Sequence, residues 1–172
     1  MKKLMYISVA FATFLLASCG GSSNQNNSSE DSSANEATTA NEQSATPASN
    51  TINLTGNDQM QFSDTSFTVK AGEQITLHLK NIGTVPAAAM SHDVVILPPG
   101  SSYTEFGQAA TQARDLDKLP ADLKDKMIAH TKMLGPGEED TITFTLSEPG
   151  NYVFLCSFPG HYATMHGTIT AE

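Results

Sequence analysis

The sequence contains few basic residues, and this shortage narrows what the protein can do. Lys and Arg together number 9 against 18 Asp and Glu, and the formal net charge is −9. Nucleic acid binding requires clustered Lys and Arg, so nucleic acid is not expected as a partner. The sequence also lacks a recognisable Ser-His-Asp set, a pair of catalytic carboxylates and a phosphate-binding loop. We therefore expect a protein that is not an enzyme.

No apolar run near the N-terminus is long enough to cross a bilayer, since residues 4–16 fall short of a spanning helix. Two lysines precede this run and small residues follow it, which is typical of a secretory signal peptide. The run ends in Leu-Ala-Ser-Cys at residues 16–19, which resembles the bacterial lipobox, where the chain is cut just before a lipid-modified cysteine. We predict a lipoprotein signal peptide over residues 1–19 and a lipid on Cys19. In the simpler alternative, Cys19 is only a small residue near an ordinary cleavage site.

A lipid on Cys19 would anchor the protein to a membrane rather than make it span one, and would place it in the periplasm at the cell envelope. The chain has only two cysteines, so Cys156 would then have no disulfide partner. An exported protein with an unpaired thiol needs a reason for it, and metal binding is one such reason.

Residues 20–50 consist mostly of Ser, Asn, Ala, Thr, Gln and Glu, with almost no large apolar residue. Such a segment cannot bury enough surface to offset the loss of chain entropy on folding. We interpret it as a disordered, low-complexity tether. The folded domain is predicted to cover residues 51–172.

Short apolar segments in this domain alternate with polar residues, which is the period of a half-buried strand. Ile75, Leu77 and Leu79 show the alternation. Val94 to Leu97 form a continuous apolar run, as expected of a strand covered on both faces. Gly- and Pro-containing turns separate these segments. The pattern predicts an all-β fold, a two-sheet sandwich with Greek-key connections, and a small helical insertion at residues 101–126.

The residues that carry chemistry stand near the C-terminus. Cys156, His161 and Met165 form a C-x4-H-x3-M pattern, and His92 lies far upstream beside an apolar strand. One thiolate, two imidazoles and a weakly bound thioether are the ligands of a blue-copper, or type 1, site. We predict one copper ion per chain. Taken singly, each residue has a plainer interpretation, namely a surface histidine, an inert buried thiol or a core methionine, and zinc also accepts Cys and His.

This ligand set favours electron transport. Thiolate suits Cu(I) and imidazole suits both oxidation states, so little has to move when an electron arrives. A catalytic metal site would keep an open position, whereas all positions are filled here. The predicted function is one-electron transfer between redox partners. Two alternatives are a copper-handling or copper-delivery protein with the same ligands, and a redox module docked permanently on a membrane oxidase or reductase.

At these motifs the domain resembles azurin, a bacterial protein of the cupredoxin family. The resemblance extends over residues 52–172 and rests on four segments: Gly56–Phe62, Met90–Asp93, Ile128–Lys132 and Phe158–His161. It implies a cupredoxin-like sandwich. By position it implies that His92, Cys156 and His161 are the equatorial copper ligands and that Met165 is the weak axial one.

Two residues beside the first histidine depart from the azurin pattern. Ser91 stands where azurins have glycine, and we do not count its carbonyl as a ligand. Asp93 stands where azurins typically have asparagine. A buried carboxylate there would favour Cu(II) and lower the reduction potential.

The resemblance also implies a docking surface for redox proteins, since in azurins the edge of the loop histidine lies within an apolar patch. Such a patch desolvates easily and allows brief encounters. The matching positions are Met60, Val85, Met90, Phe158, Pro159 and His161. Scattered surface apolar residues are the alternative interpretation.

Overall fold

A computed structural model describes residues 49–172. The predicted signal peptide, the lipid-modified Cys19 and nearly all of the predicted tether lie outside the described residues. The described part contains eight β-strands in two sheets, with three short α-helices and two 3₁₀ turns between them.

The first sheet has three strands in the order β1-β3-β6: β1 (Thr51–Gly56), β3 (Gln74–Asn81) and β6 (Glu139–Thr145). β1 runs parallel to β3, and β6 runs antiparallel to it. The predicted alternation in β3 is confirmed, because Ile75, Leu77 and Leu79 are buried while the residues between them are exposed or partly exposed.

The second sheet has five strands in the order β2-β8-β7-β4-β5. Their bounds are Ser66–Val69 for β2, Val95–Leu97 for β4, Ala129–His130 for β5, Gly150–Leu155 for β7 and His166–Ala171 for β8. β2 is parallel to β8, and the remaining pairs are antiparallel. Strands of both sheets contribute to one hydrophobic cluster, so the predicted two-sheet sandwich is confirmed.

β4 is covered on both faces, as its uninterrupted apolar sequence predicts. Val94 and Ile96 pack in the core between the sheets, whereas Val95 and Leu97 pack in a second cluster with the helical insertion. All four residues are at most 1% exposed. The segment that contains His92 directly precedes this strand.

The helical insertion predicted at residues 101–126 is confirmed, and it is broken into pieces. It comprises α2 (Tyr103–Ala113), a 3₁₀ turn (Leu116–Lys118) and α3 (Ala121–Lys124), which begins just after Pro120. The remaining helix, α1 (Ala87–Met90), is a single turn with no buried residue. Across residues 49–172, no helix has the length and apolar character that a membrane crossing needs.

α2 lies against the segment that connects β7 to β8. Its buried face includes Phe106 and Ala110. A side chain at Gly107 would collide with the ring of Tyr162, which directly follows His161, so glycine permits the helix to approach this closely. The insertion therefore supports the loop that contains three of the four predicted ligands.

Candidate metal centre

The loop between β7 and β8 brings Cys156, His161 and Met165 to one end of the sandwich. The N–H of Cys156 donates to the carbonyl of Met165 at 2.9 Å, and the N–H of Met165 donates to the carbonyl of His161 at 2.8 Å. Gly160 has φ +86°, a backbone conformation that glycine adopts readily, and it precedes the 3₁₀ turn that contains His161. The loop thus closes on itself through its own backbone hydrogen bonds.

His92 reaches the same end of the sandwich from a different part of the chain. It lies three residues before β4 and pairs with Leu134 in an isolated antiparallel bridge. The N–H of His92 donates to the carbonyl of Leu134 at 3.0 Å, and the N–H of Leu134 donates back at 2.8 Å. Two hydrogen bonds to Leu134 therefore fix the backbone of His92. In the sequence, His92 lies 64 residues before Cys156.

The structure brings His92, Cys156 and His161 together. One donor atom from each lies within 4.8 Å of the other two. The Sγ of Cys156 is 3.8 Å from Nδ1 of His161, and the two imidazole rings have centroids 5.1 Å apart. All three residues are at most 3% exposed. Met165, at the end of the same loop, is fully buried in the adjoining core.

The hydrogen bonds of His92 leave one ring nitrogen available for a metal ion. Its Nε2 lies 3.0 Å from the carbonyl oxygen of Asn57. A carbonyl only accepts, so Nε2 carries the proton and Nδ1 has a free lone pair. Nδ1 is buried and has no hydrogen-bond partner. A buried polar nitrogen without a partner is costly, and a metal ion beside the thiol of Cys156 would satisfy it.

Close packing holds the His92 ring in place. A Cβ atom added to Gly56, the last residue of β1, would lie 2.8 Å from Cδ2 of His92. Only a residue without a side chain therefore fits beneath the imidazole. Packing against Gly56 and the hydrogen bond to Asn57 fix the ring orientation, and the residues fit a metal ion.

Burial determines the protonation of the ligands before metal binds. Burial raises the pKa of the Cys156 thiol well above its usual range, and the nearby Asp93 carboxylate raises it further, while hydrogen bonds from the backbone of Asp93 and Phe158 oppose the shift. The thiol is therefore protonated at neutral pH unless a cation replaces the proton.

Burial lowers the pKa of the two histidines, whereas it raises that of the Cys156 thiol. Burial and the neighbouring His92 lower the pKa of His161 to about 4. Burial also lowers the pKa of His92, against the opposing hydrogen bond to Asn57. Both imidazoles are neutral at pH 7, which is the form that binds a metal ion.

Asp93 connects the two parts of the site. Its Oδ1 accepts the backbone N–H of Ser157 at 2.6 Å, and its Oδ2 accepts the Ser157 hydroxyl. The carboxyl group is 1% exposed. Burial raises its pKa, and the two hydrogen bonds from Ser157 act against that rise. The segment containing His92 is thereby tied to the residue that follows Cys156.

Ser91 turns away from this network, since its hydroxyl donates to the carbonyl of Ala87 in α1 at 2.8 Å. The remaining histidines lie elsewhere. His78 and His130 are exposed, and the ring of His166 stacks on Tyr103 with centroids 3.8 Å apart. Within residues 49–172, the only group of three or more His, Cys, Asp or Glu side chains placed to hold a metal is His92, Cys156 and His161.

Sequence reasoning missed the residues that support the ligands. The Asn57 carbonyl has no sequence signal, because every residue carries a backbone carbonyl. Ser157 could have been noticed as a hydroxyl beside the predicted thiolate, but its partner, Asp93, lies 64 residues away. The Asn57 contact depends on how the two sheets pack, whereas the Asp93–Ser157 contact depends on the pairing of β4 with β7 in one sheet.

The sequence from 48 to 172 matches the family model described as "Copper binding proteins, plastocyanin/azurin family". The chain belongs to this family. It is similar to azurin of Pseudomonas aeruginosa, with 38% identity over 70% of this chain and 84% of that protein. It is also similar to azurin of Alcaligenes faecalis, with 40% identity over 69% of this chain and 94% of that protein.

Among solved structures, the chain is similar to dithionite-reduced auracyanin from the photosynthetic bacterium Roseiflexus castenholzii. The identity is 41%, the TM-score is 0.64, and the match covers 73% of this chain and 98% of that one. The predicted cupredoxin-like fold is confirmed. Membership of the plastocyanin/azurin family also confirms copper as the cofactor, and it supports the predicted role of a blue-copper electron carrier rather than an enzyme.

Proposed function

We propose that this member of the plastocyanin/azurin family is a one-electron carrier of the bacterial cell envelope. In this proposal His92, Cys156 and His161 are the equatorial ligands of one type 1 copper ion, and Met165 is the weak axial ligand. Bound copper supplies the one-electron couple. Two observations carry the proposal: Nδ1 of His92 is buried and has no hydrogen-bond partner, and one donor atom each from His92, Cys156 and His161 lies within 4.8 Å of the other two.

The surroundings of the site favour rapid electron transfer. Backbone hydrogen bonds close the ligand loop, and Asp93 ties that loop to the His92 segment. Ligands held this firmly rearrange little between charge states, so the free energy needed to reach the transition state for electron transfer is small. The same rigidity makes a delivery protein, which has to release its metal, the less favoured alternative.

Partners are proposed to dock on the apolar patch of Met60, Val85, Met90, Phe158, Pro159 and His161. Met60 and Pro159 are exposed, and Val85, Met90 and Phe158 are partly exposed. The ring of Phe158 packs 4.5 Å from that of His161, and the carbonyl of Met60 accepts the hydroxyl of Thr164, one residue before Met165. These contacts support a docking surface directly over the predicted ligands.

The location follows from the N-terminal sequence. We infer that a lipid on Cys19 anchors the protein to a membrane on the periplasmic side, and that residues 20–50 tether the domain to it. A Cys19→Ser variant should be found in the soluble periplasmic fraction, whereas the wild-type protein should remain with membranes and incorporate labelled fatty acid. Equal distribution of the two proteins would reject the anchor and leave the copper site untouched.

A pair of lysine substitutions tests electron transfer through the patch. Met90→Lys should slow electron self-exchange, because it places a charge where two apolar surfaces meet, and should leave the visible spectrum unchanged. The matched control is Ile128→Lys, which changes an exposed apolar residue outside the patch. Equal rates in both variants would remove the patch from the function. Rapid loss of copper with slow self-exchange in the wild type would favour the delivery alternative.

A further inference from the structure

Asp58 lies in the loop that follows β1. Its carboxylate accepts hydrogen bonds from a second loop, which precedes α1. Its Oδ2 accepts the N–H of Thr84 at 2.8 Å and the Thr84 hydroxyl at 3.0 Å, and its Oδ1 accepts the N–H of Val85 at 3.2 Å. The hydrogen bonds from Thr84 and Val85 hold the pKa of this carboxyl below its usual range. One carboxylate therefore satisfies two backbone donors and one hydroxyl of the facing loop.

Two other residues of the loop that contains Asp58 contact both parts of the metal centre. The carbonyl of Asn57 accepts Nε2–H of His92, and the carbonyl of Met60 accepts the hydroxyl of Thr164 in the ligand loop at 2.8 Å. Asn57 also shapes the turn itself, because its Oδ1 accepts the N–H groups of Gln59 and Gln61. The position of this loop therefore affects the orientation of His92.

Packing around Gly83 shows that the two loops interlock closely. A side chain at Gly83 would collide with the Asp58 carboxylate, and its Cβ would lie 3.0 Å from Oδ1 of Asn81. The N–H of Gly83 donates to that same Asn81 oxygen at 2.9 Å. Asn81 is fully buried and donates onward to the carbonyls of Met90 and Leu134. The carboxylate is therefore packed closely against Gly83, although Asp58 is partly exposed.

We propose that Asp58 is a positioning residue for the metal centre, which holds the Asn57 carbonyl against His92 and the Val85 backbone in the docking patch. The inference rests on the proposed function, because it treats His92 as a ligand and Val85 as a contact for partners. The inference goes beyond the proposed function because it makes one residue, Asp58, responsible both for the shape of the docking patch and for the orientation of the His92 ring. A partner that presses on Val85 would therefore act on the same loop that fixes the His92 ring.

Two properties should respond when this support is removed. A looser Asn57–His92 hydrogen bond should let the Nε2 proton of His92 exchange faster with solvent. The reduction potential should rise, because a weaker hydrogen bond makes His92 a less basic ligand and because a negative charge that favours Cu(II) is gone. A residue that only closes a turn would leave the proton exchange of His92 unchanged and would shift the potential only through its charge.

The test uses the full chain and compares Asp58→Ala and Asp58→Asn with a matched control, Asp64→Asn. Asp64 is exposed and has no hydrogen bond or ion pair within the described part of the chain, so its substitution removes the same charge without the contacts. NMR of the metal-free and Cu(I) forms measures exchange of the His92 Nε2 proton, and voltammetry measures the potential. We expect about tenfold faster exchange in Asp58→Ala, a smaller effect in Asp58→Asn, and a higher potential in both.

Substitutions in the facing loop, at Gly83 and Thr84, disturb the same contact without changing Asp58 itself. Gly83→Ala should displace the carboxylate and reproduce the faster exchange, whereas Thr84→Val removes only one hydroxyl bond and should give the smallest change. If Asp58→Ala does not fold, Gly83→Ala and Asp58→Asn decide the matter. Exchange and potential equal to those of Asp64→Asn in the folded variants would overturn the inference. A wild-type protein that fails to bind copper would instead overturn the proposed function.

Discussion

The two parts of the candidate copper site are held in different ways. Cys156, His161 and Met165 share one ten-residue loop that closes through its own backbone hydrogen bonds. His92 is held by distant segments: Leu134 pairs with its backbone, Asn57 accepts its ring proton and Gly56 packs beneath its ring. The first part is local in sequence, and the second depends on how the sheets and loops pack. Substitutions can therefore damage one part and leave the other in place.

Removing the thiolate should have the largest effect, because it eliminates the soft ligand of the local part. Cys156→Ser should abolish the intense thiolate-to-copper absorption and greatly weaken copper binding. Visible absorption and copper titration measure both. The control is Ser157→Ala, which alters the next residue and leaves the thiol, so it should remain coloured. A coloured Cys156→Ser protein would contradict the assignment of this ligand.

Disturbing the distant part should have a smaller effect of a different kind. Gly56→Ala would place a methyl group 2.8 Å from Cδ2 of His92, and overpacking of this sort costs about 1–3 kcal/mol of folding free energy. We expect the protein to remain coloured, with altered copper hyperfine splitting in EPR. Gly150→Ala, where the nearest atom is a side-chain carbon of Pro99 at 3.1 Å, is the control and should leave the EPR spectrum unchanged. An unchanged spectrum in Gly56→Ala would show that the ring is not held by this contact.

The pH dependence of the metal-free protein tests the burial of His161. Its pKa is about 4 in the folded state, against about 6.5 in the unfolded chain. Between these values the unfolded state binds a proton that the folded state does not, so stability should fall as pH decreases from about 6.5 to about 4, by on the order of 3 kcal/mol.

Urea unfolding of the metal-free protein at several pH values checks this prediction. His161→Gln serves as the control, since it keeps a polar side chain without a titrating imidazole and should flatten the curve. Stability that is constant over this range, or that rises on acidification, would contradict the burial of a neutral imidazole.

The contact that joins the two parts should have the smallest effect. Asp93→Asn keeps an oxygen to accept from Ser157 and removes the carboxylate beside the thiolate. We expect the reduction potential to rise by on the order of 60 mV, which corresponds to a tenfold change in the equilibrium constant of a one-electron couple. Voltammetry measures the shift, with Asp64→Asn as a control for loss of charge. A potential that is unchanged or lower would reject a role for the carboxylate in favouring Cu(II).

The difference between the two parts also explains what could be predicted from the sequence. The C-x4-H-x3-M spacing indicates the local part directly, because ligands on one short loop leave a fixed pattern of residues. His92 was assigned from its place beside an apolar strand and from the resemblance of Met90–Asp93 to the azurin segment, since no local spacing links it to the other ligands. Its supports, Asn57 and Gly56, act through a backbone carbonyl and through the absence of a side chain, and neither leaves a pattern that spacing reveals.

In the fold, too, features with a local sequence pattern could be predicted, whereas features that depend on contacts between distant segments could not. Alternation in β3 and the continuous apolar run of β4 predicted the strands, since burial on one face or two determines which positions must be apolar. The helical insertion was predicted as a region, whereas its division into α2, a 3₁₀ turn and α3 depends on packing against Leu155 and neighbouring side chains. The parallel pairing of β1 with β3 and of β2 with β8 was not predicted, because pairing joins segments that are distant in sequence.

The most direct test of the account is to add Cu(II) to the purified metal-free protein and record its visible and EPR spectra. If Cys156, His92 and His161 bind one copper ion together, an intense thiolate-to-copper absorption should reach its maximum at one equivalent, with narrow copper hyperfine splitting. A colourless protein that binds Cu(II) weakly would contradict the account.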